Sequence, residues 1–374
     1  MSHSEARGSR PGWAGLTGWQ QVLRAAAACA LLLGLPVASA SPAIATRSAA
    51  ELIPEGSRFF LEVDLGALRD KGPTDAVRRV ISTLAPITSE SGLSAERLRS
   101  VVMASAEEPI NGDKLPSWLL FAQDGAAPSM SKLEVAFQRY TRAALKPVTA
   151  YGIAYRGNHD LSLVQLPGGP TLIAGTTGPA EIVEAWRGGP GKAAEPLVHS
   201  SRAELLQRAA GERPTAFRVW LTLTSAMQRS LVDDAHVPAA PLEVASALRL
   251  LADRSAELGI LARCSDEETA KKLATWLGTR LAVLASSGEV QLLGLSSYVQ
   301  ASKVASDGLV ARLQLSLSAD DLAALLERAV GMMGSLAPRA PTAKPETGPQ
   351  TRPQPKLQPK LEEKRVAKQP QGRK

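Results

Sequence analysis

Cysteine is nearly absent from this chain of 374 residues: there are two, Cys29 and Cys264. Cys29 lies in an N-terminal segment that reads as a removable leader, so the mature chain keeps one thiol and no internal disulfide. The fold must therefore be held by its core. Aromatic residues are also scarce, at 4%, which makes that core one of Leu, Val, Ala and Ile within a chain that is 44% hydrophobic. Histidine is rarer still, with three beyond the leader: His159, His199 and His236. They fall in an expected hairpin turn, a linker and a loop, where solvated side chains are the simplest reading.

Long apolar runs are missing as well. The longest uncharged stretch of high hydropathy runs from Ala25 to Val37, short of the roughly 20 residues that span a bilayer. Arg7, Arg10 and Arg24 against Glu5 give it a positive flank. Gly34 and Pro36 then break the helix, and Ala38-Ser39-Ala40 supplies a small-x-small cleavage site. The sequence thus predicts an exported chain, periplasmic or secreted, with no transmembrane span once mature. A membrane-anchored module is the alternative if the leader stays uncut.

Signatures of chemistry are missing too. There is no His-Glu-x-x-His, Cys-x-x-Cys pair, Gly-x-Ser-x-Gly or calcium loop. Gly188-Gly189-Pro190-Gly191-Lys192 resembles a phosphate loop, but Trp186 stands where its first glycine belongs and Ala193 where magnesium needs Ser or Thr. Adjacent acids (Glu107-Glu108, Asp233-Asp234, Asp320-Asp321) do not make a dyad, because neighbours on a helix point apart. Cys264 shares a strand face with Leu258, Ile260 and Ala262 and reads as an inert buried thiol. No cofactor, metal site or catalytic residue is predicted, and a non-enzymatic binding or envelope-associated module is favoured. The alternative is a secreted hydrolase whose site is assembled from scattered residues.

What is present is charge that changes along the chain. The leader carries +2, the stretch after Leu336 carries +7, and the body between them −2. A near-neutral body disfavours nucleic acid, whose partners are strongly basic. The residues after Leu336 include eight prolines and the near-repeat Gln354-Pro355-Lys356-Leu357, Gln358-Pro359-Lys360-Leu361. This composition predicts a disordered basic tail. It suits an anionic envelope polymer or lipid surface, and its Pro-x-x-Pro-like spacing gives a lesser case for a peptide-binding domain.

The body repeats a strand that runs into an amphipathic helix. Phe59, Leu61, Val63 and Leu65 precede Val77, Val80, Ile81 and Leu84; Phe217, Val219, Leu221 and Leu223 precede a helix near Ser225; Leu313, Leu315 and Leu317 precede Leu322, Leu325, Leu326 and Ala329. Capping boxes are expected at Ser131 with Glu134 and at Ser265 with Glu268, and a helix start at Pro179. From Asp266 a helix should set Leu273, Trp276, Leu277, Leu281 and Leu284 on one side, with Glu267–Lys271 and Glu268–Lys272 pairs on the other. Hairpins are expected at Gly157-Asn158, Gly168-Gly169 and Asp307-Gly308.

These patterns predict an α+β fold of mostly antiparallel sheets with helices on one face, organised as two ferredoxin-like halves and consistent with a duplication. The expected bounds are 1–40 leader, 41–57 connector, 58–190 first half, 191–214 linker, 215–335 second half and 336–374 tail. Trp220 is the one candidate ligand-contacting residue. It shares with Arg218 and Thr222 the face opposite Phe217, Val219 and Leu221, so a second layer must cover it or it is a stacking platform.

Overall fold

The structure, a computed structural model, describes residues 48–79, 91–94, 96–106, 116–125, 128–138, 141, 143–150, 153–166, 171–175, 179–188, 197–233, 236–287 and 296–336. The leader, the tail and the glycine-rich stretch 189–196 lie outside these residues, as do Val80, Ile81, Leu84 and the Gly168-Gly169 turn.

Twelve strands form one sheet in the order β11-β12-β10-β9-β8-β1-β2-β3-β7-β6-β5-β4. They are β1 Phe59–Asp64, β2 Leu98–Ser105, β3 Trp118–Gln123, β4 Lys146–Ala150, β5 Ile153–Gly157, β6 Ser162–Gln165, β7 Thr171–Ala174, β8 Thr215–Thr222, β9 Glu243–Leu250, β10 Ala256–Arg263, β11 Lys303–Asp307 and β12 Val310–Leu317. Every described pairing is antiparallel. The α+β class and antiparallel pairing therefore match the sequence pattern. The ferredoxin-like expectation does not hold, because that unit is a split βαβ and needs parallel neighbours.

The two halves nonetheless share a plan. β1-β2-β3-β7-β6 and β8-β9-β10-β12-β11 have the same order, with β5 and β4 added at the edge of the first half. A helix follows each of β1, β3 and β7, and each of β8, β10 and β12. The halves join through β1 and β8, where Leu61 opposes Val219, Phe59 opposes Leu221 and Val63 opposes Phe217. Matching the two strand-to-helix junctions makes Leu61 the counterpart of Val219, so the central pair maps onto itself. The strands are thus related by an approximate two-fold axis through that pair.

Successive strand residues point to opposite faces, and both faces are buried here. Phe60, Val102, Trp118, Leu120, Trp220, Ala245 and Leu261 build one core; Leu61, Val63, Leu119, Phe121 and Leu221 build another on the reverse side. Helices were expected on one face, and they occupy both. The leucine face carries α1 (Leu65–Lys71), α2 (Met130–Phe137), α5 (Ser225–Asp233), α6 (Glu267–Ala285) and α8 (Ala319–Leu336), with α7 (Ser296–Ala301) beside α8. Over the tryptophan face lie α3 (Ala180–Gly188), α4 (Glu204–Ala210) and 3-10 turns at Ala49–Leu52, Leu197–His199 and Ser201–Ala203. The described parts of the expected connector and linker are thus packed: Ala50, Ile53, Leu197 and Leu205 are fully enclosed. Without them the apolar tryptophan face would stand in water.

Local chemistry explains the ends of the elements. Asp64 accepts from Ala67 N at 2.8 Å and caps α1. α6 is capped by Asp266, which accepts from Thr269 N at 2.7 Å, and not by Ser265. Nor does a box form at Ser131: α2 starts after Ser129, and Glu134 pairs with Arg156 at 3.4 Å. A reciprocal box is found instead at Ser318 and Asp321, each backbone N–H meeting the other's side chain at 3.1 Å. Pro179 does open α3, its carbonyl accepting from Val183 N at 3.0 Å. Asn158 turns the β5–β6 hairpin, accepting from the N–H groups of Asp160 and Leu161. Gly308 turns β11 into β12 at φ +53°, a conformation that favours glycine.

On α6, Glu267–Lys271 and Glu268–Lys272 pair at 2.6 and 2.7 Å as expected, and Leu273 is buried. Leu284 departs from the expected stripe, standing 47% exposed near the helix end. Burial of this kind is testable on α2, where Leu133 is 0% and Val135 73% exposed. Leu133→Ala should cost about 2–5 kcal/mol in urea denaturation. Val135→Ala should stay within about 0.5 kcal/mol of the parent.

Candidate functional site

The residues picked out from sequence do not converge. His159 is exposed in the β5–β6 turn, His199 on a 3-10 turn and His236 in the loop after α5. Cys264 is enclosed in the leucine-face core, and burial, with Asp266 second, pushes its thiol up to about 11. It is a poor nucleophile there. Among the described residues, no group of three or more His, Cys, Asp or Glu is placed to hold a metal. Nor is any helix among them long and apolar enough to cross a membrane.

Trp220 is 1% exposed. Its indole N–H donates to Glu243 Oε2 at 3.2 Å, and Glu243 in turn meets Arg263 Nε at 2.8 Å. Of the two alternatives, the covered one describes its position, and neither ring face is open for stacking. The second layer is α4 with the 3-10 turns before it.

An opening on this face lies beside Trp220's counterpart. By the junction match that pairs Leu61 with Val219, Trp220 corresponds to Glu62. Where the second half places an indole, the first places a carboxylate, and a cleft of about 420 Å³ opens there. Its lining includes Glu62, Asp64, Asp70, Lys71, Arg99 and Ser100, with Ser48 and Pro214 from the covering segments. β1 directs Glu62 and Asp64 to the same face, α1 brings Asp70 and Lys71, and β2 supplies Arg99 and Ser100.

Electrostatics divides this lining into a floor and a rim. The Glu62 side chain is 7% exposed and lies directly across the β1–β8 pairing from Arg218. Arg218 Nε donates to Glu62 Oε2 at 2.6 Å, its Nη2 closes on the same oxygen, and its guanidinium lies 5.9 Å from the Phe60 ring centre. Burial still outweighs the cation: the Glu62 carboxyl is held above its ordinary value, with Arg218 opposing the shift. Asp64 is also raised by burial, against the Ala67 hydrogen bond and the fields of Arg99, Arg218 and Arg69. At the rim, Asp70, Lys71 and Arg99 are exposed, Arg99 sitting 3.7 Å from Asp124. The cleft therefore has a floor of two carboxyl groups that burial holds above their ordinary values, one of them paired with Arg218.

Sequence reading had put Arg218 on the right face but passed over Glu62 and Asp64. The legible signal was a pair of opposite charges, Glu62 and Arg218, flanking the midpoint of two like strands. No protein-family model matches the chain, and no curated protein is significantly similar to it. Among solved structures, the one described as crystal form I of TP0453 is similar over 76% of this chain and 98% of its own, at 11% identity and a TM-score of 0.37.

A buried carboxylate with a raised folded-state pKa keeps its proton to higher pH than the unfolded chain does. The stability this contributes is present below pH 4.5 and lost as pH rises through the folded value. Arg218→Met should lower the unfolding free energy by about 3–5 kcal/mol at neutral pH by stranding the Glu62 charge. The loss should shrink below pH 4.5, where Glu62 is protonated. Glu62→Leu combined with Arg218→Met should recover most of it; urea titrations at the two pH values give all three numbers.

Proposed function

We propose that this chain is an exported, non-enzymatic binding module whose ligand enters the cleft over Glu62 and Asp64. The observation that carries the reading is that cleft: about 420 Å³, floored by two carboxylates that burial holds above their ordinary values. A cationic group set against them supplies the charge that Arg218 alone does not. Arg99 and Lys71 at the rim suit an anionic group on the same ligand. A zwitterion, such as an amino acid or short peptide, carries both. Nothing in the lining resembles an activated nucleophile or a histidine–acid relay, which favours binding over the scattered-residue hydrolase.

Titration calorimetry with amino acids and dipeptides tests this. Affinity should rise from pH 4.5 toward neutrality as the floor ionises. Asp64→Asn keeps a helix-capping side chain and should weaken binding about tenfold, the cost of one charged hydrogen bond. Absence of heat from the whole panel, or an Asp64→Asn variant that binds unchanged, sinks the assignment.

We further read the chain as periplasmic or secreted, with residues 337–374 holding it to an anionic envelope polymer or lipid surface. Ala38-Ser39-Ala40 and the +7 charge after Leu336 support this. The shared strand order of the halves supports a duplication. Purified from its own envelope fraction, the mature chain should begin at Ser41. Deleting residues 337–374 should abolish its salt-sensitive association with that fraction. A soluble cytoplasmic protein with Met1 or Ser2 intact contradicts export, and unchanged low-salt association contradicts the tether.

A further inference from the structure

We propose a second, independent ligand site: an oxyanion pocket on the tryptophan face of the second half, which takes a phosphate or sulfate group. It shares no residue with the cleft over Glu62 and does not depend on that reading.

The pocket has a volume of about 80 Å³ and is bordered by Arg208 of α4, Arg249 of β9, Arg312 of β12 and the carboxylate of Asp307 at the end of β11, with Gly259 of β10 between the two strand arginines. A single water occupies about 10–15 Å³ on this measure, so a tetrahedral oxyanion fits. Pairing fixes the arrangement: Arg249 opposes Glu257 and Arg312 opposes Leu261, bracketing Gly259 from either side.

The charges do not cancel. Arg249 Nη2 reaches Glu257 at 2.8 Å, but Arg213 shares that acid at 3.8 Å. Arg208 pairs with exposed Asp307 at 3.2 Å, a surface contact of small worth. Arg312 donates to Gln314 at 2.8 Å and has no carboxylate partner among the described residues. The pocket lining thus holds three guanidiniums and one acid, Asp307, while Glu257 beside it is shared between Arg249 and Arg213. Arg249 Nε is also buried with no acceptor among the described residues, a donor whose desolvation stays uncompensated unless a ligand oxygen meets it.

Gly259 points the same way. It sits mid-strand, where glycine costs stability, yet its φ is not in the left-handed region and a Cβ there would meet nothing closer than 3.8 Å. The fold does not require glycine at this place, and the missing side chain leaves the pocket floor open. In the first half, the corresponding register position holds Trp118, which is 3% exposed, and Leu172 stands where the second half has Arg312. One half fills with an indole the space that the other leaves open and charges.

Inorganic phosphate is the probe, followed by calorimetry and phosphorus NMR on the full mature chain, with sodium chloride at matched ionic strength as control. Wild type should bind one phosphate per chain in the millimolar range. Arg312→Gln removes an exposed arginine that holds no ion pair and should weaken binding about tenfold. Gly259→Met should abolish it by filling the pocket, while Gly259→Ala, whose Cβ would sit at ordinary contact distance from Ala209 O and Arg249 Nη2, verifies that β10 tolerates a side chain. Phosphate binding that survives both Arg312→Gln and Gly259→Met overturns the proposal, as does a response that chloride reproduces.

Discussion

Strands β1 and β8 lie far apart in sequence, yet five residue pairs between them close the middle of the sheet. On one side of that seam Leu61 and Val219 stack their apolar side chains into the leucine-face core. On the other, Phe60 opposes Trp220 and Glu62 opposes Arg218. Two facing aromatic residues and an ion pair thus occupy adjacent rungs of the seam. The ion pair is electrostatically expensive and adds little net stability, but it fixes register. A slip by one residue would put Glu62 into the leucine core and Leu61 against Arg218. Every strand outward from the seam inherits its alignment.

The two-fold relation across this seam gives the two halves equivalent positions with unequal contents. Trp220 answers to Glu62, and Trp118 answers to Gly259. At each of these places one half is closed by an indole and the other is open and polar. The covering layer matters as much as the strands. The segments before β1 and between α3 and β8 seal the centre of the tryptophan face, and the openings lie where that cover leaves off. Two faces of one sheet thus have different duties: the leucine face is packed by helices from within the repeat, and the tryptophan face by α3 together with chain that lies outside the repeat.

Much of this organisation was legible. Alternation at Phe59, Leu61 and Val63 specified β1, and the same spacing at Phe217, Val219 and Leu221 specified β8. The turns at Asn158 and Gly308 and the acid–base pairs along α6 followed from local chemistry alone. What local pattern could not supply was partnership. Nothing in FFLEVD says that its second face is buried, because Glu62 and Asp64 read as solvent-facing until Arg218 and the covering segments are placed. For the same reason residues 48–57 and 197–210 read as connectors, since their apolar residues are too few and too irregularly spaced to announce a layer. Caps were missed where a neighbouring residue did the work, Asp266 in place of Ser265. The cleft was invisible because its floor comes from one strand, its counter-ion from another 156 residues away, and its rim from a helix and a third strand.

The seam also constrains how the molecule can be made. Phe59 cannot find Leu221 until the whole intervening chain has been delivered, whether from a ribosome or through a translocation pore. Until then the first half presents β1 as an apolar edge strand, paired with β2 on one side and with its other ladder groups open to any other chain. Long-range pairing of this kind is slow to form and exposed to aggregation while it waits. The chain is therefore open to misassembly for as long as its centre stays unclosed.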